Sequence, residues 1–327
     1  MTDERLKIHS FASRQAQGTL AEDVYAGLMA KPKSLPPKYF YDAVGSALFD
    51  VITLLPEYYP TRAEAEILEN FADEIVAAVA GEKVLLELGS GSATKTRVLI
   101  EAILKTQNEL LFIPNDISPT VLEESSRVLL QMYANLSVEA YAADYFTALE
   151  NFKLDEEKRV LALFLGSNIG NFTYEEARKL MTIWRKSLKP GDCVLLGTDL
   201  KKDFQVLIDA YDDPTLVTAA FNLNLLARLN RELDADFDLR AFRHLAIYNE
   251  AEGRVEMHLE SLTTQRVNLE KINLKIDLAA GETIHTENSY KFNHEDLTHL
   301  AAVSGFELRQ SWFDSEKRFA SNLFQAV

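Results

Sequence analysis

The sequence predicts an α/β fold: a mostly parallel sheet with helices on both faces and a C-terminal antiparallel hairpin, plus a second, smaller α+β domain. Three observations predict it. Between about residues 61 and 199, short continuous apolar runs alternate with amphipathic stretches, the pattern of strands buried on both faces and linked by helices. After Leu200 the apolar residues come at every second position, as in strands with one wet face. The last two apolar stretches flank a polar turn, Asp314 to Lys317, which signals a hairpin.

Met1 to Ser10 is polar and lacks the apolar core of a secretory signal. Lys31 to Pro37 is a proline-punctuated connector, and Leu55 to Pro60 is another. Thr61 and Glu64 have capping-box spacing, and Ile67, Leu68, Phe71, Ile75 and Val79 continue at helical spacing. Val84 to Leu88, Leu110 to Ile113, Val138 to Ala142, Val160 to Leu165 and Cys193 to Leu196 read as five buried strands. Thr94 to Leu104, Pro119 to Tyr133 and Tyr174 to Ser187 read as the helices between them. Tyr211 to Leu233 reads as one long helical region. Val255, Met257 and Leu259 alternate, as do Ile272, Leu274, Ile276 and Leu278, and these strands read as antiparallel. A helix over Glu295 to Val303 precedes the hairpin strands Phe306 to Phe313 and Phe319 to Gln325. The expected domains are 62–199 with 290–327, and 10–61 with 200–289.

Composition narrows the function. Of 327 residues, 47% are hydrophobic and 26% charged, ordinary for a globular chain with a sizeable core. The 50 acidic residues against 34 basic ones give a charge of −16. Such a surface repels phosphate backbones and anionic lipid, so neither nucleic acid nor membrane is an expected partner. No run approaches the roughly 20 apolar residues of a spanning helix. The one cysteine, Cys193, lies in an apolar run. It reads as a small core residue in a reducing compartment, which fits a cytoplasmic protein; a monomer is expected. The six histidines show no metal-ligand spacing, and no metal is expected.

The chemistry begins at the turn Glu87-Leu88-Gly89-Ser90-Gly91, which ends the first buried strand. Ligands of doubly wound sheets bind beyond the carboxyl ends of the strands. A Cβ at Gly89 or Gly91 would block close approach of the backbone to a nucleotide-like ligand. Dinucleotide sites want a third glycine three residues on, where this chain has Thr94. Glu87 is poor company for a pyrophosphate and suits a cationic cofactor such as S-adenosylmethionine. Asp116 and Asp144 end the next two strands, placed to accept from ribose hydroxyls and to read an adenine amino group. Each acid alone reads equally as a turn or cap residue; three at successive strand ends favour the site. A nicotinamide dehydrogenase is the competing enzyme class.

Further motifs are Tyr39-Phe40-Tyr41-Asp42 followed by Gly45-Ser46, Pro56-Glu57-Tyr58-Tyr59-Pro60-Thr61-Arg62, Gly166-Ser167-Asn168-Ile169-Gly170-Asn171-Phe172, Thr218-Ala219-Ala220-Phe221-Asn222, Glu256-Met257-His258, and Thr286-Glu287-Asn288-Ser289-Tyr290-Lys291-Phe292. With these, the chain from about Leu35 to its end resembles the histidine Nα-methyltransferases of the ergothioneine pathway. That family has the class I S-adenosylmethionine-dependent, Rossmann-like fold. The resemblance implies trimethylation of the α-amino group of L-histidine to hercynine, with S-adenosylhomocysteine as the second product. It implies a cofactor site of Tyr59, Glu87, Gly89, Gly91, Lys95, Asp116, Asp144 and Tyr145. The last is a departure, because the family has phenylalanine there. It places the substrate amine and carboxylate near Tyr59, Gly166, Asn171 and Tyr211. It has the imidazole read by Glu287 and Ser289 with Met257 lining the pocket, and Tyr41 close to the reacting amine.

The residue types agree with this. A carboxylate and a hydroxyl hydrogen-bond both nitrogens of an imidazole, and when buried they penalise a side chain that leaves them unpaired. Plainer readings stand beside it: Met257 as core packing, Asn171 as a turn residue, Tyr211 as helix packing. The rival functions are the same fold acting on another amino acid, such as tryptophan or a histidine derivative, and a non-catalytic binder.

Overall fold

Continuously apolar segments pair with one another because a strand buried on both faces has only backbone to offer its neighbours. The computed structural model describes residues 4–11, 19–154 and 157–327. In chain order its strands are β1 (Leu6–Ser10), β2 (Lys33–Ser34), β3 (Lys83–Leu88), β4 (Leu110–Asp116), β5 (Leu136–Ala142), β6 (Arg159–Phe164), β7 (Cys193–Asp199), β8 (Phe242–Asn249), β9 (Arg254–Ser261), β10 (Gln265–Leu269), β11 (Leu274–Leu278), β12 (Thr283–Tyr290), β13 (Phe306–Phe313) and β14 (Phe319–Ala326). The described residues divide into two units, one of 4–11, 62–200 and 292–327, the other of 19–61 and 201–291.

The first unit is built on one eight-stranded sheet in the order β1-β5-β4-β3-β6-β7-β14-β13. It is parallel through β7, and β14 runs antiparallel to both β7 and β13. The order reverses between β3 and β6, so their carboxyl ends open at the switch point where α/β sheets bind ligands. Every residue of β3 and β7 is buried. Leu86, Leu88, Ile113, Phe164, Trp184, Leu300 and Phe324 lie in one continuous core. Caps end the helices where the sequence offers them: Thr173 and Glu176 close a capping box on Tyr174–Ser187, and Asn293 and Asp296 close one on His294–Val303.

The second unit holds a four-stranded sheet, β2-β12-β9-β8, and the β10-β11 hairpin. The helix Val217–Leu233 packs on it with Leu225 and Leu229 fully buried. Asp42 caps the helix Ala43–Ile52 through the Gly45 N–H at 2.7 Å. Phe40, Phe221, Met257, Leu259, Ile276 and Ile284 share this unit's core. The strand β12 carries a bulge. Its register against β9 shifts between His285 and Glu287, so Ile284 faces Leu259 and Glu287 faces Met257. Thr286 is the extra residue, and its hydroxyl donates to the Met257 carbonyl at 3.0 Å and to Asn222 Oδ1 at 2.9 Å.

Several expectations need correction. Tyr211 to Leu233 is not one helix: Phe204–Asp209 ends first, Leu216 takes φ +64°, and the long helix starts at Val217. Asp213 sets that start by accepting from the Val217 and Thr218 N–H groups. Ile272 belongs to a 3-10 turn that ends in Asn273 at φ +48°, so the alternating strand begins at Leu274. The helix expected from Thr94 starts at Thr96, with Ala93 at φ +52°. The polar N-terminus supplies β1, which pairs parallel with β5.

Candidate active site

In the first unit the turn after β3 takes left-handed backbone, φ +69° at Gly89 and +49° at Gly91. A Cβ on Gly89 would stand 2.9 Å from Tyr145 Oη, whereas one on Gly91 would meet open space. Close approach therefore requires glycine at 89, and backbone conformation favours it at 91. The Gly91 N–H donates to Asp116 Oδ2 at 3.1 Å, which ties the glycine turn to the end of β4. The other Asp116 oxygen accepts the Ser118 N–H at 2.9 Å. Asp144 caps Tyr145–Asn151 through the Thr147 N–H and hydroxyl.

Two carboxylates lie beneath these turns. Glu87 is buried in β3 and accepts from Thr96 Oγ1 at 2.6 Å. Burial pushes its carboxyl up to about 8, although the Thr96 hydroxyl and the Lys95 charge oppose the shift. Glu64, fully buried on the helix Pro60–Ala77, pairs with the Lys95 ammonium and accepts the Gly166 N–H at 2.8 Å. Gly166 (φ +75°) and Ser167 (φ +58°) turn the chain after β6 into a short 3-10 helix, Asn168–Asn171. The structure thus gathers Glu87, Gly89, Gly91, Lys95, Asp116, Tyr145 and Gly166 at neighbouring strand ends, with Asp144 at the next. Asn171 closes the turn that Gly166 opens. The cradle at Gly89, acidic and backed by an aromatic ring, fits an adenosine carrying a cationic amino-acid tail.

In the second unit the β12 bulge puts Glu287 and Ser289 on the face that holds Met257 and Val255. All four are buried. Tyr211 Oη lies 2.7 Å from Ser289 Oγ, and the Lys291 ammonium donates to both, at 2.9 Å and 2.8 Å. Burial raises the Glu287 carboxyl to about 7 against the opposing Lys291 charge. The backbone of Tyr211 is fixed as well: its carbonyl accepts from His244 Nε2 at 2.7 Å, and His244 Nδ1 accepts from the Asn222 amide at 2.9 Å. Burial holds His244 below the usual imidazole range, consistent with this neutral tautomer. Rings link Tyr41 to Phe49 (5.7 Å), Phe49 to Tyr58 (6.1 Å) and Tyr58 to Tyr211 (6.4 Å). Tyr59 accepts from Lys202 Nζ at 2.6 Å.

Four contributors escaped the sequence reading. Glu64 carried only a capping-box signal. Lys291 stood inside a quoted motif without a role, as did Asn222. His244 stood only among the six histidines without metal-ligand spacing.

The family model of the histidine-specific, S-adenosylmethionine-dependent methyltransferases matches residues 20–326. A histidine N-alpha-methyltransferase of Mycolicibacterium smegmatis is 46% identical over 95% of this chain and 96% of its own. One of Mycobacterium tuberculosis is 44% identical over 93% and 94%. A crystal structure from Thermobifida fusca YX, provisionally described as a methyltransferase, superposes with a TM-score of 0.51 at 14% identity over 94% of both chains, a likeness of fold. No helix among the described residues is long and apolar enough to cross a membrane. A glycine cradle backed by acids, an alignment running nearly end to end and a family model matched over the same span agree: the chain belongs to the histidine-specific, S-adenosylmethionine-dependent methyltransferases.

Proposed function

We propose that the enzyme trimethylates the α-amino group of L-histidine, giving the betaine hercynine of the ergothioneine pathway. The observation that carries this reading is the buried pair Glu287 and Ser289 on one face of β12, beside Met257. A carboxylate accepts a ring N–H and a hydroxyl serves the second ring nitrogen, a match no hydrocarbon side chain makes.

S-adenosylmethionine supplies the methyl group on a sulfonium that is already an activated leaving group, so displacement by a neutral amine forms the N–C bond as the C–S bond breaks. The chain's work is placement, which contributes about 7–11 kcal/mol when reacting atoms are held in line. Gly89 and Gly91 leave room for the cofactor. By the family resemblance, Tyr59, Lys95 and Tyr145 would border it. Glu87, Asp116 and Asp144 supply negative charge and acceptors. By the same family resemblance, Tyr59, Gly166, Asn171 and Tyr211 would hold the substrate amine and carboxylate. A free α-amino group titrates at about 7.7–8.0, so losing one proton before each transfer needs no strong base. Tyr41 accepts from the amine and steadies the cation that grows over three rounds.

Mass spectrometry of products from histidine and S-adenosylmethionine tests the reading, with a panel of amino acids run alongside. Mono-, di- and trimethylhistidine should appear in turn, and histidine should be strongly preferred. Methylation spread evenly over the panel would overturn the assignment.

A further inference from the structure

The end of β12 holds a closed triangle of polar groups. Lys291, only 2% exposed, donates to Ser289 Oγ and to Tyr211 Oη, and those two oxygens are themselves 2.7 Å apart. An ammonium has hydrogens and no lone pair, so both hydroxyls accept from it. One proton then lies along the Tyr211–Ser289 edge. The phenol is the stronger acid, so Tyr211 donates and Ser289 accepts. A serine oxygen has two lone pairs and one hydrogen. Both lone pairs are now taken, by Lys291 and by Tyr211. What Ser289 has left to offer a ligand is its hydrogen.

We propose that Lys291 is a positioning residue that fixes Ser289 as an obligate donor, so that the pocket selects a ring with one N–H and one unprotonated nitrogen. The inference rests on the histidine reading given above and adds the proton count that the reading requires. Glu287, two residues back on the same face, supplies the complementary acceptor. The positive charge of Lys291 favours its ionised form against the opposing effect of burial. One lysine thereby sets the polarity of both contacts. An imidazolium presents two N–H groups and leaves the Ser289 hydrogen facing another hydrogen. A phenyl ring leaves both polar groups unpaired.

Steady-state kinetics on the intact enzyme test this with histidine and with an alanine bearing a thiazole, whose ring nitrogen accepts and which has no N–H. Lys291→Met should raise KM about tenfold for both substrates, the loss of roughly one hydrogen bond. The effect should fall on KM for the amino acid rather than on kcat or on KM for S-adenosylmethionine. Lys291→Arg, still donor-only, should restore KM to within about threefold. In a Ser289→Ala background, Lys291→Met should add less than about twofold, because the two act as one unit. If Lys291→Met melts early, Lys291→Gln replaces it. Its amide offers an acceptor that draws the Ser289 hydrogen inward, so KM should rise similarly. An unchanged KM, or penalties that add in the double variant, overturns the role of Lys291. A wild-type enzyme indifferent to histidine overturns the substrate reading instead, which keeps the two failures apart.

Discussion

Glu64 and Lys95 form an ion pair in which the carboxylate is fully buried and the ammonium side chain stays about a quarter exposed, at 27%. The same carboxylate accepts the Gly166 N–H, so one group anchors both the start of the helix Thr96–Leu104 and the turn after β6. Removing it leaves a half-buried cation and an orphaned backbone donor. Glu64→Ala should cost about 3 kcal/mol, near the low end for a broken buried pair, measured by denaturant melts. Glu64→Gln can still accept from Gly166, so it should cost less. It should nevertheless raise KM for S-adenosylmethionine about tenfold, because Lys95 loses its charge partner.

Gly197 makes room for that carboxylate. A Cβ there would stand 2.1 Å from Glu64 Oε1, and the neighbour is too tightly held to swing away. Gly197→Ala should destabilise the protein by about 1–3 kcal/mol, as overpacking does. It should also raise the cofactor KM in the direction of Glu64→Gln. A variant that melts and turns over like wild type would show that the carboxylate has other room.

Glu87 makes the cofactor site sensitive to pH. Its carboxyl rises from the ordinary 4.5 to about 8 in the folded protein. The folded state therefore keeps a proton that the unfolded state has lost, and ligand-free stability falls as pH rises through that window. A cationic ligand favours the ionised carboxylate. Affinity for S-adenosylmethionine should increase between about pH 6.5 and about pH 8.5, with proton release on binding. Calorimetry in buffers of different ionisation enthalpy measures that release, and Glu87→Gln should abolish it.

Glu287→Ala removes the acceptor proposed for the ring N–H. The ratio of kcat/KM for histidine to that for the rest of the amino-acid panel should fall roughly 10- to 100-fold, the range for a hydrogen bond to a charged group. Stability should rise relative to wild type above about pH 7, where folding otherwise forces a buried charge. Retained selectivity would place imidazole recognition elsewhere.

Tyr41→Phe keeps the ring that packs edge-on against Phe49 and Phe221, so the melting temperature should hold. Single-turnover rates of each methyl transfer should drop roughly tenfold with the loss of one hydrogen bond. Unaltered rates at all three steps would remove Tyr41 from the chemistry.

The parallel sheet was legible because strands buried on both faces leave unbroken apolar runs, as Val84 to Leu88 does. The glycine turn was legible because left-handed backbone selects glycine. What stayed hidden was set by contacts far apart in sequence. Glu64 lies 102 positions from Gly166, and its spacing from Thr61 pointed to a local cap. Lys291 stood in a quoted motif without a role, because its partner Tyr211 lies 80 positions away in the sequence. The break before Val217 was invisible because Tyr211 to Leu233 keeps helical spacing through a residue at positive φ. β1 escaped because none of its residues is buried and only backbone pairing with β5 makes it a strand.

One inserted residue governs which side chains of β12 lie on the face of Met257. Thr286 shifts the strand by a single position, and a one-residue slip turns every later side chain to the opposite face of a sheet. Were the ladder to run on unbroken in the register of Ile284 and His285, Thr286 would stand opposite Met257, and Glu287 and Ser289 would stand opposite Glu256 and Arg254 on the other face. The recognition face of β12 is therefore written in the offset between two strands, which no list of residues records.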